Sequence, residues 1–280
     1  RSVSNGSVAV KAAGTVTLND GTDVAGTPGE DNTDGLAVSL NGSGSLRIET
    51  NGGSSNLVVN SDIVSATGHV TLKAAVDLAM ATGVDITTAS TGTINLDAVA
   101  GALLMHGSAT VSASNSSARL RAQGNITLGN VSATNVSIDS DAGNLINAVD
   151  STQNVTATQL RLQSGGAIGV GDRHLSTSVN VMSAQASAGS IFITEANAVT
   201  VDDVAVSVSE FSAAGTSVVV TDAAQSDIRT TGGNGSIVLR TTAGSITLND
   251  GTATATGVAI SANGTGNVLI QALGAGTDIT

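Results

Sequence analysis

The chain has 280 residues, a formal net charge of −12 at pH 7, and no cysteine, tryptophan or tyrosine. This composition excludes disulfide bonds and thiolate chemistry, and the acidic balance disfavours nucleic acid and anionic membranes as partners because their phosphates repel it. The longest apolar run, 98–105, is far shorter than the roughly 20 residues of a membrane helix, so we predict no membrane insertion.

Short segments of alternating polar and apolar residues recur along the chain, most of them preceded by glycine. A period of two residues is typical of a strand with one buried face, and the leading glycine indicates a tight corner. The one segment that approaches a helical period, 75–84, is interrupted by glycine and threonine and is predicted as strand and turn. In chain order, the predicted strands are 14–18, 44–50, 68–74, 92–98, 124–130, 135–140, 159–164, 189–195, 216–222, 235–241, 244–250 and 266–272.

The spacing of these segments predicts a solenoid. Gly44, Gly68 and Gly92 follow one another at the same interval, and self-similarity every 20 to 30 residues is typical of stacked structural repeats. The predicted fold is all-β: a single-stranded parallel β-helix of about ten to thirteen coils, with residues 1–280 as one continuous body. An antiparallel sandwich is the alternative, disfavoured because sandwiches of this size usually carry aromatic anchors.

Two blocks near the start of the chain return in the same order near its end. Segment 14–23 matches 244–253, and segment 36–50 matches 258–272. Chance similarity between low-complexity strands is one explanation, but the preserved order favours a piece of a larger tandem array. We expect uncapped ends, which would pair with neighbouring copies or with further repeats stacked end to end.

One segment carries a family resemblance. Within 164–204 lie Gly-Ala-Ile-Gly at 166–169, Leu-Ser-Thr at 175–177 and the strand at 189–195. This segment resembles a unit of giant bacterial exoproteins of the filamentous-haemagglutinin-like type, and the flanking strands are loosely similar. The resemblance implies a right-handed parallel β-helix, export to the cell surface or beyond, and work as an adhesin or surface fibre. No secretion domain, Arg-Gly-Asp tripeptide or toxin domain of that family is recognisable, so target and route stay open.

Some parallel β-helices are carbohydrate-active enzymes, which need converging carboxylates. Two pairs of neighbouring acids are candidates, although in a solenoid such residues are more often solvated outward or turn residues. The three histidines lie far apart in the sequence and form no metal-binding motif. The candidate pairs are Asp139 with Asp141 and Asp202 with Asp203.

Calcium is the metal that the sequence favours most. The loop at 19–35 is rich in carboxylates, and oxygen ligands close together on a flexible loop suit Ca²⁺. It matches neither an EF-hand nor the nonapeptide calcium repeat, and a solvated acidic loop is the alternative. The candidate ligands are Asp20, Asp23, Asp31 and Asp34.

These patterns together predict a non-enzymatic structural or adhesive module of a secreted bacterial surface protein. Such a module would form a stiff rod or filament, with further coils and cell-surface or matrix glycans as partners. A carbohydrate-active β-helix enzyme, and a passive surface that binds glycan, calcium or ice, are the alternatives.

Overall fold

The computed structural model describes residues 4–21, 35–253 and 256–280, which form β-strands joined by short turns. No helix in these ranges has the length and apolar character of a membrane span. The strands are β1 (Val8–Ala12), β2 (Val16–Leu18), β3 (Leu36–Leu40), β4 (Leu46–Thr50), β5 (Leu57–Val59), β6 (Asp62–Ser65), β7 (Val70–Ala74), β8 (Leu78–Met80), β9 (Asp85–Thr88), β10 (Ile94–Ala98), β11 (Leu103–Met105), β12 (Thr110–Ala122), β13 (Ile126–Leu128), β14 (Asn130–Ser140), β15 (Leu145–Asn147), β16 (Val155–Ser164), β17 (Leu175–Ala186), β18 (Ile191–Glu195), β19 (Val199–Val201), β20 (Val204–Phe211), β21 (Ser217–Gln225), β22 (Ile228–Thr230), β23 (Ile237–Thr241), β24 (Ile246–Leu248), β25 (Ile260–Ser261) and β26 (Val268–Ala272).

Successive coils stack in parallel and in register on three faces, which confirms the predicted parallel β-helix. Face A stacks β1, β4, β7, β10, the second halves of β12, β14, β16 and β17, then β22 and β25. These ten strands agree with the predicted number of coils. Face B stacks β2, β5, β8, β11, β13 and β15, and continues through Ile168 to β18, β23 and β26. Face C stacks β3, β6, β9 and the first halves of β12, β14, β16 and β17.

The core is a set of aliphatic ladders inside the coils. Leu46, Val70 and Ile94 occupy the same place in three successive coils of face A, and all three are fully buried. One cluster of buried apolar residues extends in this way from Leu40 to Ile246. Because each buried aliphatic side chain contributes about 1.5–3 kcal/mol, stacked coils stabilise one another without large aromatic anchors.

Stacked glycines explain the regular glycine-headed segments. A Cβ atom added to Gly68 would lie 1.8 Å from the carbonyl oxygen of Gly44, and one added to Gly92 would lie 2.6 Å from that of Gly68. The hydroxyls of Ser65 and Thr88 donate to the same Gly68 oxygen, at 3.1 and 2.7 Å. At these corners the backbone of the preceding coil comes so close that any side chain in place of the glycine hydrogen would collide with it.

Among the described residues, the segment of β20 and β21 departs from the predicted solenoid. The predicted strand at 216–222 is not part of a coil but of β21, which pairs antiparallel with β20. This hairpin is inserted within one face A coil, since Val201 of β19 pairs with Met182 and Ile228 of β22 pairs with Ala184. Alternation of polar and apolar residues is the same in parallel and antiparallel strands, so the pattern alone could not distinguish them.

The two copies of the long sequence repeat form the same succession of strands. Segment 14–23 contains β2 and segment 244–253 contains β24. Segment 36–50 contains β3 and β4, and segment 258–272 contains β25 and β26. The two blocks share the order of their strands but not their faces, since β4 stacks on face A and β26 on face B.

Candidate functional site

The outward side of face A carries a row of polar side chains that are buried. Outward residues of a solenoid are normally solvated, but here β20 and β21 lie across them. We call this row the covered ladder. Its members are Arg47, Thr71, Asn95, Arg119, Ser137, Arg161 and Ser183.

The backbone of β20 is held by side chains of the coils beneath it. The N–H of Phe211 donates to Thr71 Oγ1 at 2.9 Å, and the N–H of Ser209 donates to Thr93 Oγ1 at 3.0 Å. Val206 and Val208 of the same strand are buried. Because an isolated two-stranded hairpin is marginally stable, these contacts to the solenoid are what hold it in place.

Two ion pairs join the hairpin to the covered ladder. Arg47 Nη1 lies 2.7 Å from Glu210 Oε1, and Arg119 Nε lies 3.0 and 2.9 Å from the two carboxylate oxygens of Asp222. Burial lowers the pKa of Arg47, but hydrogen bonds and charges of Glu210 and Glu49 outweigh it, so that this pKa is raised above its usual value. The hairpin is thus fixed by both apolar contacts and charges.

Beside the covered ladder runs a second outward row, the charge ladder, in which the sign of the charge alternates from coil to coil. Lys73 Nζ lies 3.9 Å from Asp97 Oδ2, and Arg121 Nη1 lies 3.8 Å from Asp97 Oδ1. Burial raises the pKa of Asp97, and the charges of Lys73 and Arg121 oppose this rise. Opposite charges between adjacent coils stabilise this stacking order. The ladder consists of Lys11, Glu49, Lys73, Asp97, Arg121 and Asp139.

A separate site lies on a loop between faces B and C. Val170 and Arg173 exchange two backbone hydrogen bonds of 3.0 Å, which close a tight turn. The turn borders a cleft of about 320 Å³, which we call the cationic cleft. Its lining residues are Asn147, Gly171, Asp172, Arg173, His174, Ser176, Thr194 and Arg240.

Hydrogen bonds fix the floor of the cationic cleft. Thr194 Oγ1 lies 2.8 Å from His174 Nδ1 and accepts a bond of 3.0 Å from Arg240 Nε. Asn147 Nδ2 donates to the backbone oxygen of His174 at 2.8 Å. Burial and the charge of Arg240 lower the pKa of His174, so its ring is neutral at pH 7.

Most of the predicted calcium ligands, Asp23, Asp31 and Asp34, lie outside the described residues. The N–H of Asp20 donates to Ser61 Oγ at 2.7 Å, and Asp20 Oδ2 accepts from Gly35 at 3.0 Å. The described ranges contain no group of three acidic or histidine side chains that could hold a metal ion. The calcium site therefore stays a prediction.

Each candidate catalytic acid has an ion-pair or hydrogen-bond partner. Asp139 and Asp141 lie near Arg161 and Arg121. Asp202 accepts from Asn249, and Asp203 accepts from Thr252 and Ala253. The three histidines have separate partners, which are Thr93 for His69, Ser108 for His106 and Thr194 for His174.

Sequence reasoning missed the covered ladder and the cationic cleft. Thr71 is covered by a segment that comes 140 residues later in the chain, as its hydrogen bond from Phe211 shows. Nothing in the sequence around Thr71 indicates that this outward threonine is buried. The cleft had a weak signal in the sequence. Adjacent basic and imidazole side chains, Arg173 and His174, lie within twenty residues of Phe192, one of only two phenylalanines in the sequence.

Successive coils that pair in parallel from β1 to β26 define the class of parallel β-solenoid repeat proteins. No protein-family model, curated protein or solved structure matches the chain. The filamentous-haemagglutinin-like resemblance and the right-handed winding that it implies therefore stay predictions.

Proposed function

We propose that the chain is a non-enzymatic structural and adhesive module that forms a stiff rod in a secreted or surface-exposed bacterial protein. The observation that carries the proposal is the in-register stack of coils on face A. Each coil is bonded to its neighbours along whole strands, so bending the rod requires breaking ladder hydrogen bonds on one side. Such a body suits a spacer that holds a binding surface away from a cell.

The hairpin supports the same role. It is bonded to coils as far apart as β4, through Arg47 and Glu210, and β16, through Arg161 and Ala223. A brace that spans several coils resists both twisting and separation of those coils. Together with the charge ladder, the hairpin supports the proposal that the solenoid resists mechanical force.

The outermost coils support assembly. β26 is the last described strand of face B, and the strand before it on that face, β23, pairs on both of its edges, with β18 and β26. β26 pairs with β23 alone among the described strands, and Val268 on it is 48% exposed. We infer that a further coil, from a neighbouring copy or from a further repeat, stacks on β26.

Electron microscopy of native material containing this chain tests the proposal. Continuous fibres or rods with an axial β repeat near 4.8 Å are expected. Blunt particles without an axial repeat would overturn it. In the same preparation, polysaccharides incubated with the protein should keep their length, and their cleavage would instead establish the enzyme alternative.

A further inference from the structure

The cationic cleft is unusual for this molecule. The chain carries 22 acidic and 10 basic residues, yet Arg173 and Arg240 both line this one cleft, with a single carboxylate, that of Asp172. Acidic proteins generally repel anions, so a local excess of positive charge is where an anionic group would bind.

The arginines have donors to spare. Within the described ranges, Arg240 makes one side-chain hydrogen bond, from Nε to Thr194, and the Arg173 guanidinium makes none. Neither forms an ion pair with a described residue. A guanidinium with free N–H groups binds a carboxylate or a sulfate through paired, charge-assisted hydrogen bonds.

The cleft also has the groups that a sugar ring requires. His174 packs against Phe192, with ring centroids 5.6 Å apart and planes inclined by 32°. Phe192 is half-buried, whereas Phe211 is a buried residue of the hairpin strand β20. Apolar rings beside a few fixed polar groups are typical of small-ligand sites. The Asp172 carboxylate can accept hydrogen bonds from sugar hydroxyls, and the Ser176 hydroxyl can donate to them or accept from them. A simple inorganic anion has no hydroxyl groups to donate to the Asp172 carboxylate.

We propose that the cationic cleft binds an anionic sugar unit of a glycan, with its carboxylate or sulfate group between Arg173 and Arg240. The sugar hydroxyls face Asp172 and Ser176, and the ring lies against His174, whose imidazole packs on Phe192 behind it. The inference rests on the adhesive part of the proposed function, for which it supplies the ligand class.

Isothermal titration calorimetry with the 280-residue protein at low salt tests this inference. The probes are hyaluronate, which carries carboxylates, dextran sulfate, which carries sulfates, and uncharged dextran. Binding to either anionic polymer but not to dextran is expected, and the preferred polymer identifies the anionic group. Equal binding to dextran, or binding to neither anionic polymer, would overturn the inference. Polyglutamate that binds as tightly as hyaluronate would overturn the sugar assignment.

Variants locate the site. Arg173→Gln and Arg240→Gln are each expected to weaken binding about tenfold or more, since a hydrogen bond to a charged group contributes about 1.5–3 kcal/mol. Arg229→Gln, on face A, makes the same change of charge and is expected to bind as the parent protein does. If all three variants bind alike, the cleft is not the site. A protein that forms fibres but binds no anionic glycan would leave the structural role standing.

Discussion

At the scale of single residues, the stacked glycines and the buried polar groups at the corners determine whether coils can stack. The corner glycines matter because of what lies above them rather than for conformational freedom. Gly68 has no positive φ, but a Cβ atom at this position would collide with the Gly44 carbonyl. A side chain at this place pushes two coils apart.

Gly68→Ala should therefore destabilise the solenoid. An added Cβ atom 1.8 Å from the Gly44 oxygen requires a backbone shift, and overpacking of this kind costs about 1–3 kcal/mol or more. Thermal unfolding followed by circular dichroism measures the effect. Gly53→Ala is the matched control, since no atom lies within 4 Å of its added Cβ. Equal melting temperatures for the two variants would contradict the role of the glycine stack.

Glu195 makes stability depend on pH. Its carboxylate is fully buried and accepts bonds from Thr177 Oγ1 at 2.6 Å and from the N–H of Val179 at 3.0 Å. Burial raises the pKa of Glu195, and these hydrogen bonds oppose the rise without cancelling it. A raised carboxyl pKa favours the protonated form in the folded state, so its contribution is full below the ordinary pKa of 4.5 and is lost as pH rises through the folded pKa.

The parent protein should consequently lose melting temperature relative to Glu195→Gln as the pH rises above about 4.5, where the carboxyl of unfolded chains titrates. Melting curves across pH 4 to 8 provide the comparison. Asp172→Asn, which removes an exposed carboxyl, is the control for the loss of one negative charge. Parallel curves for Glu195→Gln and the parent would show that this carboxyl is not the source of the dependence.

At the scale of elements, the hairpin is the feature that distinguishes this chain from a plain stack of coils. Its two strands cover a row of polar groups and bind them through both backbone and side chains. Arg119 and Asp222 are each about 10% exposed in their side chains, and a charge that loses its partner in such a place is poorly solvated.

Arg119→Gln is expected to destabilise the protein by about 3–5 kcal/mol, the usual result of removing one partner of a buried ion pair. Lys11→Gln is the matched control. It breaks a pair of 3.6 Å in which the lysine side chain is 54% exposed, and such pairs contribute about 0–1 kcal/mol. Chemical denaturation measures both free energies of unfolding. Similar losses would mean that the hairpin does not depend on its ion pairs.

The strands of the coils were predictable from sequence, but their partners were not. Alternation located β4, β7 and β10 because their inward residues must be apolar. It could not predict that β21 pairs with β20, since local alternation carries no information on strand direction. The cationic cleft lies on a turn that has no period at all, and its geometry depends on Arg240, which comes from another coil.

At the scale of the whole molecule, inward ladders connect the first described strands to the last. On face B, one inward ladder runs from Val16 of β2 to Val268 of β26, and both end residues are valine. A second copy could thus continue the core ladder of the first.

Val268→Asp should abolish end-to-end association, because it places a carboxylate where the core ladder would continue. Light scattering over a range of concentrations measures the mass of the particles. Val219→Asp, on the exposed hairpin strand, is the control, since Val219 is even more exposed, at 67%. Association that survives Val268→Asp but not Val219→Asp would mean that copies join side by side.

The polar character of the covered ladder has a consequence for the order in which the molecule is built. In a chain that emerges amino end first, the coils that present Thr71 and Arg119 are complete well before Glu210 and Asp222 appear. Those coils must therefore stay soluble with the ladder open to water. Threonine, asparagine and arginine allow this, and an aliphatic row of the same shape would invite aggregation. The hairpin follows those coils in the chain and precedes β22 to β26, so it docks on the coils that are already complete.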